Sequence, residues 1–210
     1  MPTLCKCEIS VIVPVYNLEK FIEPLLSSLK RQKLEGHTVE YIFVLNNCTD
    51  RSKEVIENSG LECSIMNCTE QGCGCARNAG FEVCQGKYIW FMDGDDWLLS
   101  DTAIKDVIER MDRDELKLLR VPFKSMTYPY QYFSMVWQYV YRRELIEDLR
   151  FRKVQPAEDD EFTSQVLARV GYNRSTYMFL PYIKEPLYYY NYFREGSNMR
   201  RYYNGENINE

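Results

Sequence analysis

The chain is poor in histidine, in long apolar runs and in positive charge. His37 is its single histidine. It precedes an apolar run and lies on none of the motifs below, which argues against a Ser-His-Asp triad and against histidine-dependent catalysis generally. No stretch approaches the roughly 20 uninterrupted apolar residues that span a bilayer. The opening "MPTLCKCEIS" lacks the apolar core of a secretory signal. These absences predict no integral membrane segment and a cytoplasmic protein, with peripheral attachment at the inner membrane face compatible. Lysine and arginine number 26 against 31 aspartates and glutamates, a formal charge of −5. That balance disfavours a general nucleic-acid binder, which would carry a basic surplus. An anionic ligand would then need a local cation, protein-borne or metallic. C-x-x-C spacing is absent as well. The eight cysteines include the C-x-C pairs Cys5/Cys7 and Cys73/Cys75, and with Cys63 and Cys68 four thiols fall between positions 63 and 75. A metal site there stays open, but free thiols are the better reading for a reducing compartment.

What is present is enough for a sizeable core, with 45% apolar and 14% aromatic residues in 210. "ISVIVPVY" (9–16) is a continuous apolar, β-branched run, as in a strand covered on both faces of a parallel sheet. Asn17 is the expected cap of a helix with apolar residues at Leu18, Phe21, Ile22, Leu25, Leu26 and Leu29. A second strand (39–46), a second helix (49–58), a short strand (63–67), a third helix (74–85), a strand (87–93) and a helix (101–111) follow. Repeated βα units of this kind predict a right-handed, doubly wound, mostly parallel α/β sheet with ligands beyond the carboxyl ends of its strands. The later half is tyrosine-rich, in "YPYQYFSMVWQYVY" and "PLYYYNYF", and no linker separates it from the first. The tail 199–210 reads as a mobile end.

Three polar stretches fall at the predicted strand ends. Most acidic is "YIWFMDGDDWLLSD" (88–101), where Asp93, Asp95 and Asp96 follow an apolar run. Crowded carboxylates at the end of a core strand repel and are costly to desolvate. They are either a solvated turn before a helix, for which Ser100 and Asp101 already supply a cap, or a place for something positive.

The strings "ISVIVPVYN", "VLNNCTDRS", "GCGCARNAG", "GKYIWFMDGDDWL", "WQYVYRRELIEDLRF" with "AEDDEF", and "PLYYYNYFREGSNM" stand in this order. Together they resemble a family 2 glycosyltransferase of the GT-A type over nearly the whole chain. The resemblance implies a single domain, 1–210, whose Rossmann-like half, 1–99, binds a nucleotide-sugar and whose acceptor-binding half is 100–210. It implies an inverting transfer to a hydroxyl, assisted by Mn²⁺ or Mg²⁺. Carboxylates and water suit such hard ions, and a cation bridging the diphosphate stabilises the leaving group. By resemblance Asp93 leans toward the ribose and Asp95 toward the metal, with Asp96 ligating or orienting, while Gly94 lets the turn lie tight against the nucleotide. Arg77 would lie near the diphosphate; a helix-start arginine opposes the dipole, which favours a function over a plain surface residue. Gly80 would permit close packing of its helix. Pro14, Val15 and Tyr16 would hold the nucleobase and ribose, Tyr16 stacking on the base or walling the pocket.

One departure stands at the second strand end, where Asn46 replaces the family's usual carboxylate for the uracil imide. An amide oxygen still accepts that bond, so a UDP-sugar is the favoured donor. The E-D of the family maps to Glu158 and Asp159, giving Asp159 as general base, Glu158 as a shaping residue and Asp160 as the substitute if the register slips. An acidic helix start would look similar. Trp137, Tyr188, Tyr189, Tyr190 and Tyr192 are core aromatics with one or two at an acceptor cleft, and Arg194 and Ser197 would touch phosphate. The acceptor is a glycan, a lipid-linked glycan or another hydroxyl; the charge balance weighs against a nucleic-acid acceptor. Two competing readings are an inactive glycosyltransferase-like binding domain and a nucleotidyltransferase, which would want a glycine-rich basic loop where "PVYNLEK" stands.

Overall fold

The computed structural model describes residues 6–125, 135–152, 158–192 and 194–195. Ser197 and the tail 199–210 lie outside them. The elements run β1 (Cys7–Val15), α1 (Glu23–Lys30), β2 (Val39–Asn46), α2 (Ser52–Asn58), β3 (Ser64–Cys68), α3 (Cys73–Val83), β4 (Gly86–Phe91), β5 (Trp97–Leu98) and α4 (Ala103–Arg113). After these come β6 (Leu118–Arg120), β7 (Phe123–Lys124), β8 (Tyr139–Arg142), α5 (Arg143–Ile146), α6 (Glu158–Arg169) and β9 (Tyr188–Tyr189). The expected cap at Asn17 is corrected. Asn17 takes a left-handed backbone (φ 50°) and accepts the Thr49 N–H at 2.8 Å. The helix starts later, at Glu23, with Pro24 in its first turn where a missing N–H costs nothing.

The main sheet has the order β3-β2-β1-β4-β8-β6. Strands β1 to β4 pair in parallel, while β8 pairs antiparallel with both β4 and β6. Thus β8 alone runs against the others, and the sheet is mostly parallel, as expected. A second sheet, β5-β9-β7, sits beside the acidic turn after β4.

Alternate side chains of each strand serve opposite faces. Ile9, Val11, Val13, Phe43, Leu45, Tyr88 and Trp90 pack with Leu25 and Leu29 of α1 and with Ile104, Val107 and Ile108 of α4. Ile12, Ile42, Val44, Ile89 and Phe91 pack on the other face with Ala76 of α3 and with Phe162 and Val166 of α6. Helix α3 lies close because of Gly80: a Cβ there would stand 2.5 Å from Ile12 Cγ2. That close approach draws the first turn of α3 up to the carboxyl ends of β1, β2 and β4.

Candidate active site

The acidic turn is the best-anchored feature at those ends. Asp96 is fully buried and spends both oxygens inside the protein: Tyr188 Oη donates to Oδ2 at 2.7 Å and the Asn191 N–H to Oδ1 at 2.8 Å. Tyr188 Oη also accepts the Asp93 N–H at 3.1 Å. Burial, with Asp95 and Asp93 nearby, pushes the Asp96 carboxyl well above the usual range. These bonds suit the orienting one of the two roles expected for Asp96: they tie the turn to β9 and the residues after it. Gly94 sits in the same turn. Its close neighbour is protein, since a Cβ would fall 2.5 Å from Leu18 Cδ1.

Arg77 stands at the centre of the site. It lies in the first turns of α3, is 3% exposed, and reaches acids from two other elements. One arm donates to Asp93 Oδ1 at 2.9 Å. The other donates to Asp159 Oδ1 at 2.5 Å and lies 3.8 Å from Glu158 Oε1. Its guanidinium also covers the Phe151 ring, 5.4 Å from the centroid. Asn78 holds Phe151 in place through two 2.9 Å bonds to its backbone. The guanidinium is thus a buried link between the acidic turn and α6. The charge against the helix dipole, visible in the sequence, is offset by these carboxylates.

Helix α6 opens with Glu158, Asp159, Asp160 and Glu161 in its first turn. Asp159 faces Arg77, whereas Asp160 pairs with Arg174 on the exposed side. Burial pushes the Asp159 carboxyl up to about 7, against the pull of Arg77 and with the help of Glu158 and Asp93. A carboxyl titrating there suits general-base work near neutral pH.

Asp95 is paired with Arg194, whose guanidinium also stands 4.8 Å over the Phe21 ring. Burial raises the Asp95 carboxyl, Arg194 opposing. Asp93, Asp95, Glu158 and Asp159 together face two guanidinium groups, Arg77 and Arg194. Four carboxyls thus meet two guanidinium groups, and carboxylate oxygens are the ligands Mg²⁺ and Mn²⁺ prefer. Asp93 and Asp95 therefore fit such an ion. Among the described residues no three His, Cys, Asp or Glu side chains form a ready-made metal cluster, so a bound ion would complete its shell with ligand oxygens and water. The seven described cysteines are free thiols.

At the ends of β1 and β2 the predicted nucleotide contacts separate. Pro14 and Val15 are buried, Val15 fully and within the core, while Tyr16 is 56% exposed with its ring free to stack. Asn46 is 5% exposed, gives its amide to Cys68 O and Glu70 O, and accepts the Gly72 N–H on Oδ1. The aromatic run behaves mainly as core. Trp137, Tyr188, Tyr190 and Tyr192 are buried, and Tyr189 stacks on Trp97 with centroids 4.0 Å apart. The residue that sequence reasoning missed is Tyr188 as the anchor of the acidic turn; nothing in the sequence connects it to Asp96, 92 positions away.

The comparisons bear on family and fold. A family model described as "Glycosyl transferase family 2" matches residues 10–175. An uncharacterised glycosyltransferase of Bacillus subtilis, EpsJ, is 30% identical over 188 residues, covering 70% of this chain and 54% of that protein. The poly(ribitol-phosphate) beta-N-acetylglucosaminyltransferase TarS of Staphylococcus aureus is 27% identical over 220 residues, covering 92% of this chain and 37% of its own length. The chain thus spans about half, or less, of the curated relatives it matches. A crystal structure of TarS in complex with UDP-GlcNAc superimposes with a TM-score of 0.78 at 25% identity, over 92% of this chain and 60% of that one. The mannosyltransferase PcManGT of Pyrobaculum calidifontis, in complex with GDP-Man and Mn²⁺, shares the fold with a TM-score of 0.69 at 16% identity, over 93% and 60%.

Proposed function

The chain belongs to glycosyl transferase family 2, and from that membership we propose that it moves a sugar from a nucleoside-diphosphate donor to an acceptor hydroxyl with inversion. The observation that carries this is the meeting of Asp93 and Asp159 on Arg77. It brings the acids suited to a diphosphate and the acid suited to deprotonate an acceptor to one place beyond the strand ends. Residues 1–99 form the donor half and 100–210 the acceptor half.

In the transfer, Asp159 takes the acceptor hydroxyl's proton as that oxygen bonds to the anomeric carbon from the face opposite the leaving group. The bond from the anomeric carbon to the diphosphate breaks, and its electron pair leaves with the nucleoside diphosphate. Asp93 and Asp95 would hold a divalent cation, which supplies positive charge to the diphosphate oxygens. Arg77 fixes the Asp159 carboxylate and keeps it anionic against its burial; Glu158 adds charge behind it. Tyr188 and Asp96 hold the turn that carries the donor acids. A cytoplasmic setting is part of this proposal; among the described residues no helix is long and apolar enough to cross a membrane. A glycan or lipid-linked glycan is the proposed acceptor, as TarS acts on a polymer by its name.

The test is release of nucleoside diphosphate from UDP-GlcNAc and related nucleotide sugars with Mn²⁺, in the wild type and in Asp95→Asn and Asp159→Asn. Metal-dependent release that both variants lose supports the assignment. Release unchanged in Asp159→Asn would remove that residue as the base, and none from any donor would leave a binding domain without turnover.

A further inference from the structure

We propose that Asn78 is a positioning residue for the general base, holding Phe151 so that its ring seats the Arg77–Asp159 ion pair. This rests on the role given to Asp159 above. Asparagine is a poor helix former, yet Asn78 lies inside α3, next to Arg77. Its amide serves one residue both as donor and as acceptor: Nδ2 donates to Phe151 O and Oδ1 accepts the Phe151 N–H, each at 2.9 Å. Phe151 lies in no helix or strand and is 4% exposed, so this clamp supplies the pairing that its buried backbone requires. Gly74, one turn earlier on the same face of α3, makes room for the segment. A Cβ there would stand 2.8 Å from Arg152 O and 2.9 Å from Phe151 Cβ.

Pairing a backbone would be a plain structural task if the Phe151 ring pointed elsewhere. Instead the ring touches the carriers of both charges. The Arg77 guanidinium covers it, and Phe162 stacks on it with centroids 4.0 Å apart and planes 12° from parallel. Phe162 follows Asp159 by three positions on α6 and so shares its face of the helix. Phe91 of β4 meets both rings edge-on, at 5.1 and 6.0 Å, and ties them to the sheet. Arg77 depends on such a seat. Among the described residues its buried Nε has no hydrogen-bond partner, and its two arms divide between Asp93 and Asp159. With the ring displaced, only those arms would set the distance from α3 to the acid on α6. A shift of about 1 Å in a reacting group can cost about 10²-fold in rate.

The experiment measures kcat per folded molecule for nucleoside diphosphate release from UDP-GlcNAc or GDP-Man with Mn²⁺, and the Kd of UDP or GDP by calorimetry. It compares the wild type with Asn78→Ala, Phe151→Leu and the double variant. Phe151→Leu keeps both clamp bonds, which are made by backbone, and removes only the ring; it decides the question alone if Asn78→Ala does not fold. Each single variant should lose about 10–100-fold in kcat with Kd within about threefold of wild type. The double variant should fall no more than about threefold below the lower single, because both changes act through one ring. Full kcat in folded Phe151→Leu overturns the inference and leaves Asp159 as the base, as do losses that multiply in the double variant. A Kd raised more than about tenfold would instead place the ring in donor binding, and also overturns it. No release by the wild type removes the reading of Asp159 and this inference together.

Discussion

Replacing Tyr188 by Phe removes one oxygen and tests the anchoring of the acidic turn. The ring keeps its place, stacked on Trp137 with centroids 4.6 Å apart and planes 10° from parallel, so packing is preserved. What is lost is a donor to Asp96 and an acceptor for the Asp93 N–H. Both groups lie in a dry environment, and each buried group left unpaired costs about 1–3 kcal/mol. Together they lower stability by about 3 kcal/mol, or about 6–12 °C in Tm for a chain of this size. Urea and thermal unfolding followed by near-ultraviolet dichroism would measure it. Tyr189→Phe is the control: Tyr189 is stacked on Trp97 with no hydroxyl bond in the arrangement described, and its change should stay within about 0.5 kcal/mol. The same variant should weaken metal-dependent nucleotide binding more than Tyr189→Phe does, because a loosened turn no longer presents Asp93 and Asp95 together. A loss below about 0.5 kcal/mol in Tyr188→Phe would refute the anchoring.

Asp159→Asn should cut transfer by about 10²–10⁴-fold while leaving nucleotide affinity near wild type, read by product formation and by titration. Transfer by the wild type should rise with pH about a midpoint near 7, as the Asp159 carboxyl, pushed up to about 7 by burial, ionises; a midpoint near 4 would contradict that shift. Stability carries the opposite sign. The folded chain binds this proton more tightly than the unfolded one, whose carboxyl titrates near about 3.9. The contribution of Asp159 is thus full below about pH 4 and is lost as pH rises through about 7, seen as the wild type losing stability relative to Asp159→Asn over that range. Chelation with EDTA should abolish transfer and Mn²⁺ or Mg²⁺ restore it, with Asp95→Asn needing more metal. Gly80→Ala should destabilise by about 1–2 kcal/mol, because overpacking against Ile12 outweighs the better helix propensity of alanine; a stabilised variant would show that α3 can move off the sheet.

The fold was legible where one physical rule acts alone. β1, β2 and β4 are β-branched or aromatic apolar runs bounded by polar residues, and burial on both faces leaves no other use for them. Prediction failed where a side chain answers to a distant partner. Asn17 looks like a helix cap locally, but its oxygen is taken by Thr49, 32 positions on, and the helix waits until Glu23. The two-residue strands β5, β7 and β9 carry no periodicity to read.

The site shows the same division more sharply. Asp93, Asp95, Glu158 and Asp159 could be picked out because acids at strand ends and helix starts are costly without a purpose. Their pairings could not, since Arg77 meets Asp159 across 82 positions and Arg194 meets Asp95 across 99. A buried carboxylate demands a partner, but its sequence neighbours do not say which. Asp95 and Asp96 make the point as adjacent, identical residues. The turn sends one toward Arg194, with 17% of its side chain exposed, and the other wholly inward to Tyr188 and Asn191. One is paired with a guanidinium and partly open, and the other is wholly spent on holding the turn. Only the direction of each Cβ separates them, and that direction is fixed by a tyrosine 92 residues away.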